Sequence, residues 1–262
     1  MRLIRAVSAE LSKCLTLPGG RAGIAVAMLG SIALTVLNAM TARRALASGQ
    51  PELIASASPF ETAFAAMPLG TVGAVVLGVI AIGSEYTPNS PDAGGGRQIG
   101  TTLTALPQRI GLLSAKAVAV VLLVVGIAAV TLPVSIGVAR LIVGEFAVES
   151  VSVAEAVVRC LGGTLYWTLT GLMALAITTL TRSATVPLIV LIMNNSLVSF
   201  SLLLTNLTSL AHWLPDLAGR RLFTGIDTVD GGLDAVPGAW VMAAWTVALL
   251  LVAGAVLRRR DA

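Results

Sequence analysis

The sequence predicts an all-α polytopic membrane protein with six transmembrane helices, and three observations lead to that prediction. Hydrophobic residues make up 56% of the 262 residues, charged residues make up only 11%, and the mean hydropathy is +0.92. An ordinary soluble domain carries about 25% charged residues. Six uncharged apolar runs are each long enough for a helix to cross roughly 30 Å of hydrocarbon.

These runs are predicted to be helical because lipid offers no partners to backbone N–H and C=O groups. We assign the chain, residues 1–262, to a single transmembrane domain. Within it we expect an interfacial helix at 1–20, a cytoplasmic loop at 84–116 and an extracellular hairpin region at 207–235. The predicted spans are residues 22–42, 62–84, 117–139, 160–181, 183–206 and 235–257.

The distribution of basic residues predicts that both termini are cytoplasmic. With that orientation, eleven of the 17 Lys and Arg residues lie in inner segments and six in outer loops. Such an excess on the inner side is typical of multi-pass membrane proteins. The net charge of +4 is too small and too scattered to indicate a nucleic-acid partner. The lipid bilayer is the expected environment of the chain.

The segment that precedes the first span has the pattern of an amphipathic helix. Its apolar residues recur at helical spacing, and a Pro-Gly-Gly sequence at 18–20 separates it from the span. We predict that it lies in the inner membrane interface, either as an anchor alone or also against a cytoplasmic partner. The apolar residues are Leu3, Ile4, Val7, Leu11, Cys14 and Leu15.

Missing residue types exclude several classes of activity. The six predicted spans hold no Asp, Glu, Lys, Arg or His side chain, which argues against a proton relay. The single histidine, His212, leaves no metal-ligand spacing, and no nucleophile, base and orienting group occur together in the spans. The chain is therefore predicted to be no enzyme, with no catalytic residues, no metal and no cofactor of its own.

The fifth predicted span is unusually polar. Its amides and hydroxyls would be costly against lipid, so the surface is predicted to meet another helix, another subunit or a wet path. Interhelical hydrogen bonding and a substrate path or dimer seam both remain open. The polar residues are Asn194, Asn195, Ser199, Ser201, Thr205 and Asn206. In the second span, Gly70, Ala74 and Gly78 form a small-residue stripe that predicts close helix packing.

The loop between the second and third spans carries the most informative motif. It reads S-E-Y at 84–86, then T-T-L-T-A-L-P-Q-R at 101–109 and L-S-A-K at 113–116. Residues 101–106 suit a short helix that Pro107 would end, and a plain solvated loop is the simpler alternative.

This motif resembles the ABC type-2 permeases, the membrane subunits of ABC exporters. The A-E-L-S-K sequence at 9–13, the six spans and the chain length also fit, whereas the Pro/Gly-rich stretch at 87–97 is longer than in many members. The resemblance implies a bacterial cell-membrane protein that pairs with a second permease subunit, identical or homologous. It also implies a separate ATPase subunit that binds ATP and Mg²⁺.

The resemblance further implies which residues couple the permease to the ATPase. They would lie in the N-terminal helix, in the loop and at the start of the third span, and the fifth span would line the seam or the path. The coupling residues are Glu10, Lys13, Glu85, Tyr86, Thr101, Thr102, Pro107, Arg109 and Lys116. The expected function is export of an amphipathic substrate such as a drug, peptide or lipid. The alternative is a non-transporting scaffold or sensor subunit.

Overall fold

The structure, a computed structural model, describes residues 2–54, 56–87, 108–148, 151–194, 199–224 and 231–259. Within these ranges the chain folds into helices joined by turns, without a β-strand. We number the α-helices in chain order. They are α1 Arg2–Thr16, α2 Pro18–Ala25, α3 Ser31–Ala47, α4 Pro59–Phe64, α5 Met67–Gly83, α6 Arg109–Val143, α7 Val153–Thr181, α8 Thr185–Asn194, α9 Phe200–Thr205, α10 Pro215–Arg220 and α11 Ala235–Arg259.

Five helical stretches in the described ranges are long and apolar enough to cross a membrane. Some combine several elements: a π-helical turn at Val26–Gly30, for example, joins α2 to α3 without a break. Each stretch contains one of the predicted runs, so the all-helical, membrane-embedded character is confirmed. The stretches are Pro18–Ala47, Pro59–Tyr86, Arg109–Phe146, Val153–Thr181 and Ala235–Arg259.

The prediction of one continuous helix over residues 183–206 is wrong, and the count of six spanning helices is not confirmed. Helix α8 has only ten residues, and Ser199 then has an extended backbone with φ −73° and ψ 126°. The Ser199 hydroxyl accepts a hydrogen bond from the Leu202 N–H and so caps α9. Serine and asparagine side chains compete in this way with helical hydrogen bonds, which explains why an apolar run can break here.

Contacts between the helices define two opposite ends of the bundle. Lys116 of α6 contacts Glu10 of α1, and the Arg109 guanidinium donates to the Leu257 carbonyl of α11, 2.9 Å away. The first and last helices therefore meet at one end, which we call the α1 end. At the opposite end, which we call the Glu61 end, Arg159 near the start of α7 contacts Glu61 of α4.

Between α7 and α11, the described residues 182–194, 199–224 and 231–234 run from one end of the bundle to the other, and the longest helix among them is the ten-residue α8. Arg182 terminates α7 in a left-handed conformation (φ 53°), with its guanidinium 5.8 Å from the centre of the Tyr86 ring at the α1 end. Phe223 lies at the Glu61 end, where its carbonyl accepts a hydrogen bond from Arg159. Helices α8, α9 and α10 lie on this path between them.

Close contact between α5 and α7 forms the centre of the bundle. A Cβ atom at Gly70 would lie 1.8 Å from the buried Trp167 ring, and one at Gly78 would lie 2.0 Å from the Gly171 carbonyl oxygen. Ala74, between these glycines, is also buried. The predicted packing role of the small-residue stripe is therefore confirmed.

We expect Gly78→Ala to lower the stability of the protein, because the added methyl group collides with α7 backbone and forces α5 and α7 apart. Overpacking of this kind costs about 1–3 kcal/mol. The matched control is Gly126→Ala on α6, where a Cβ would meet nothing within 4 Å. Thermal unfolding in detergent is the measurement. Equal melting temperatures for the two variants would contradict the packing assignment.

Candidate functional site

Helix α1 turns a narrow face toward the rest of the protein. Ala6, Glu10 and Cys14, at i, i+4 and i+8, are buried, and burial raises the pKa of the Cys14 thiol. In contrast, Ile4 and Leu15 are at least half exposed. The predicted apolar stripe is thus divided between a face that packs on the protein and an edge that does not.

Four charged side chains meet where α1 crosses α5 and α6. The Lys116 Nζ lies 2.7 Å from Glu10 Oε2, 2.9 Å from Glu85 Oε1 and 2.8 Å from the Ala81 carbonyl oxygen. The Lys13 Nζ lies 2.5 Å from the same Glu85 oxygen. We call Glu10, Lys13, Glu85 and Lys116 the ion cluster.

Because the ion cluster is buried, each of its charges needs a partner of opposite charge. The side chain of Lys116 is 0% exposed and that of Glu85 is 1% exposed. A charge without a partner at such a depth costs several kcal/mol, whereas here two ammonium groups balance two carboxylates. Lys13 and Lys116 are the only two lysines in the sequence, against 15 arginines. A lysine ammonium is a compact charge with three donors, which suits a site with three oxygen partners.

The cluster joins three elements. Glu10 and Lys13 lie three residues apart on α1, Glu85 follows the end of α5, and Lys116 lies on the second turn of α6. The segment 88–107 connects α5 to α6 and lies outside the described residues. The two helices that flank this segment are therefore held to each other, and to α1, by buried charge.

The structure brings together four of the nine predicted coupling residues, namely those of the ion cluster. Tyr86 instead has its ring beside Arg182, and Arg109 binds the end of α11. Lys116 and Glu85 are buried, and their contacts are with other residues of this chain. Their role in coupling stays a prediction. Thr101, Thr102 and Pro107 lie outside the described residues, as does the short helix expected at 101–106.

A second polar cluster lies between α7 and α11, in the segment of short helices α8, α9 and α10 that we call the interrupted path. The Ser201 hydroxyl is 2.8 Å from Asp216 Oδ1 and 2.8 Å from Asn194 Nδ2, and the Ser199 hydroxyl is 3.3 Å from Asp216 Oδ2. Burial raises the pKa of the Asp216 carboxyl, and the hydrogen bonds from Ser201 and Ser199 oppose that rise. Asp216 thus holds the end of α8 and the start of α9 against α10.

Half of the six predicted path or seam residues join this cluster. Thr205 donates to the Leu202 carbonyl of its own helix, and Asn206 is exposed. Asn195 lies outside the described residues. Because the backbone is extended at Ser199, Ser199 and Asn206 do not lie on one continuous helix.

Two groups of polar residues were missed by sequence reasoning. Asp216 is one of them, since it lay in a region expected to be an outer hairpin. The other is the pair of Arg159 and Glu61, whose Nη1 and Oε1 atoms are 2.6 Å apart. These two residues directly precede predicted spans that begin on the same side, which is the signal that could have paired them. Among the described residues, no group of three or more His, Cys, Asp or Glu side chains could hold a metal ion.

Comparison with known proteins does not assign a family. No protein-family model matches the chain, and no curated protein matches it. The resemblance to ABC type-2 permeases therefore remains a prediction from the sequence.

We expect Lys116→Met to destabilise the protein by about 3–5 kcal/mol, because the substitution leaves Glu10 buried without its partner. Adding Glu10→Gln removes that carboxylate charge and leaves the Lys13–Glu85 pair in place. The double variant should therefore recover part of the loss, and thermal unfolding of the single and double variants tests this. Additive losses would contradict the pairing.

We expect Asp216→Asn to stabilise the protein increasingly as pH rises. Because its pKa is raised, the folded state holds the Asp216 proton more tightly than the unfolded state does. Wild-type stability therefore falls as pH increases from about 4 through the raised pKa, whereas asparagine does not ionise. The buried Tyr166 hydroxyl is a titratable group that interacts with this carboxyl.

The measurement for Asp216 is the melting temperature of variant and wild type across this pH range. Asp234→Asn is the matched control, because the Asp234 side chain is 85% exposed. The difference in melting temperature between Asp216→Asn and wild type should grow with pH, and more steeply than the difference for Asp234→Asn. A constant difference for Asp216→Asn would contradict the argument.

Proposed function

We propose that this chain is the transmembrane permease subunit of an ATP-driven ABC exporter. It would cross the bacterial cell membrane six times with both termini in the cytoplasm, and it would pair with a second permease subunit. ATP and Mg²⁺ would be bound by a separate ATPase subunit. The cargo would be amphipathic, as a drug, peptide or lipid-like molecule is.

The ion cluster carries this proposal. A permease that is driven by a separate ATPase subunit must receive mechanical force at its cytoplasmic face. It must then transmit that force to the helices that cross the membrane. The cluster joins α1 to the two helices that flank the loop in which the coupling motif lies. Buried charge pairs resist separation, so displacement of α1 or of the loop would move α5 and α6 together.

The surface of α1 supports an interfacial position for this helix. Its Glu10 face packs on the protein, Ile4 and Leu15 project along one exposed edge, and Arg5 and Ser12 lie on the other. A helix with apolar and charged exposed edges suits the boundary between headgroups and acyl chains. In that position α1 would contact both the membrane and a cytoplasmic ATPase.

The interrupted path supports a seam or a substrate route. Extended backbone at membrane depth is tolerated only where protein covers it or where it lines a water-filled cavity. Ser199 has such backbone on the path that connects the two ends of the bundle, and the polar groups of Asn194, Ser201 and Asp216 gather around it. This chain itself covers Ser199, whereas the neighbouring Phe200 and Leu203 of α9 are exposed and offer an apolar surface to a second permease subunit or to cargo.

The test is purification of the tagged chain from its native host in mild detergent. We expect a stoichiometric ATPase subunit with a phosphate-binding Walker A lysine to co-purify. Recovery of the chain alone, under conditions that preserve other membrane complexes, would overturn the exporter proposal and favour the scaffold or sensor.

The coupling role of the ion cluster is tested in the same preparation. The double variant Lys116→Met/Glu10→Gln removes the link between α1 and α6 without leaving an unpaired buried charge. It should keep the ATPase bound but lose substrate stimulation of ATP hydrolysis. The control is Glu52→Gln, in an exposed turn beyond α3, which should behave as wild type. Normal stimulation in the double variant would refute coupling through the cluster.

A further inference from the structure

A cleft of about 790 Å³ opens at the Glu61 end of the bundle. It lies between α3, the Pro51–Leu53 turn, α4 and the start of α7. Sites for small ligands typically measure about 300–1,000 Å³. The cleft is therefore large enough for a small organic molecule, and it is separate from the ion cluster and from the Asp216 cluster.

The lining combines an apolar part with a few polar groups. Leu53, Ile54 and Phe64 contribute apolar surface, and Thr41 and Glu61 contribute oxygen atoms. The Thr41 hydroxyl already donates to the Leu37 carbonyl of its own helix, whereas the Glu61 carboxylate only accepts. Glu61 is thus the acidic group that the lining presents to a ligand.

Arg159 also lines the cleft, but its guanidinium is paired with the Glu61 carboxylate and is mostly buried. Its guanidinium contacts both Glu61 oxygens, at 2.6 and 3.1 Å, while its Nε donates to the Phe223 carbonyl. The guanidinium carbon also lies 4.7 Å from the Phe60 ring centre. The Arg159 side chain is only 9% exposed, compared with 33% for Glu61. The buried arginine therefore holds the carboxylate in place and leaves its outer edge free to accept.

Glu61 and Arg159, the charged residues that line the cleft, balance each other, and Glu155, which does not line it, adds a second carboxylate beside Arg159. Glu155 lies 3.8 Å from Arg159 Nη1 and its side chain is 55% exposed, so two carboxylates share one guanidinium. Arg43 of α3 donates instead to the Ile142 carbonyl of α6 and does not line the cleft. A cation at the cleft would therefore gain attraction from this surplus, and an anion would be repelled.

We propose that this cleft binds a lipophilic cation, meaning an organic ammonium or phosphonium with an apolar body. The cationic group lies against Glu61, and the apolar body contacts Leu53, Ile54 and Phe64. Binding itself does not depend on export, whereas a role of the bound cation as cargo rests on the proposed function. The binding test therefore uses the chain alone, so that absence of an ATPase partner cannot be mistaken for absence of the site.

The probes are tetraphenylphosphonium and tetraphenylborate, which have similar shapes and opposite charges. Binding is measured by equilibrium dialysis to the chain in phosphatidylcholine nanodiscs, after subtraction of uptake by protein-free nanodiscs. We expect saturable binding of the cation, about tenfold or more tighter than that of the anion, as a close unlike charge allows. Uptake that does not saturate, or equal or tighter binding of the anion, would overturn the proposal.

Two tryptophan substitutions on α3 locate the binding. Thr41 is exposed and lines the cleft, so Thr41→Trp should fill it and weaken cation binding about tenfold or more. Met40, the preceding residue, is 40% exposed and does not line the cleft, so Met40→Trp should leave binding unchanged. Retention of binding in the Thr41 variant, or equal loss in both variants, would overturn the proposal.

A charge variant tests the role of the carboxylate. Glu61→Gln should weaken cation binding about tenfold and leave anion binding no weaker. This change also removes the charge partner of Arg159 and can unfold the chain, so helical content and melting temperature are measured beside it. If Glu61→Gln unfolds, the comparison of Thr41→Trp with Met40→Trp tests the proposal instead. A folded Glu61→Gln variant that binds the cation as wild type does would overturn the proposal.

Discussion

The position of the Lys116 ammonium group constrains the whole α1 end of the protein. A positive charge that is inaccessible to water needs compensating oxygens, and Glu10, Glu85 and the Ala81 carbonyl provide them. Two of these oxygens belong to the end of α5 and one to α1. The two spanning segments and the N-terminal helix can therefore separate only if the charge loses partners. In an exporter this constraint would make α1 and the flanks of the 88–107 segment move as one body.

At the Glu61 end of the bundle, the buried ion pair is formed by an arginine rather than by lysines. The planar guanidinium of Arg159 binds both oxygens of Glu61, which fixes the orientation of the carboxylate as well as its position. Between the two ionic ends, α5 and α7 are held together by close packing at Gly70 and Gly78 rather than by charge. This division follows from solvation: ion pairs lie near helix ends, and the apolar middle relies on van der Waals contact.

The interrupted segment after α7 links fold and proposed function most directly. An uninterrupted helix would have satisfied its own backbone, whereas extended Ser199 and the six-residue α9 need partners from elsewhere. Asp216 supplies some of them through Ser199 and Ser201. The remaining exposed surface of α8, including Ile189 and Met193, is apolar and suits lipid or another subunit. A path or seam would therefore lie where helix regularity is lost.

The sequence by itself determined the helical, membrane-embedded class and the location of five spanning segments, because hydrophobic length and the absence of charge are local properties of the chain. The family resemblance also drew attention to the residues of the ion cluster as coupling residues, although nothing in the sequence showed that they contact one another. It did not detect the break at Ser199, because a serine can either continue a helix or cap a new one, and contacts such as that with Asp216 favour one of the two. The tertiary structure alone decided which charges are buried together, because Glu10 and Lys116 are 106 residues apart in the chain and meet only after the helices pack.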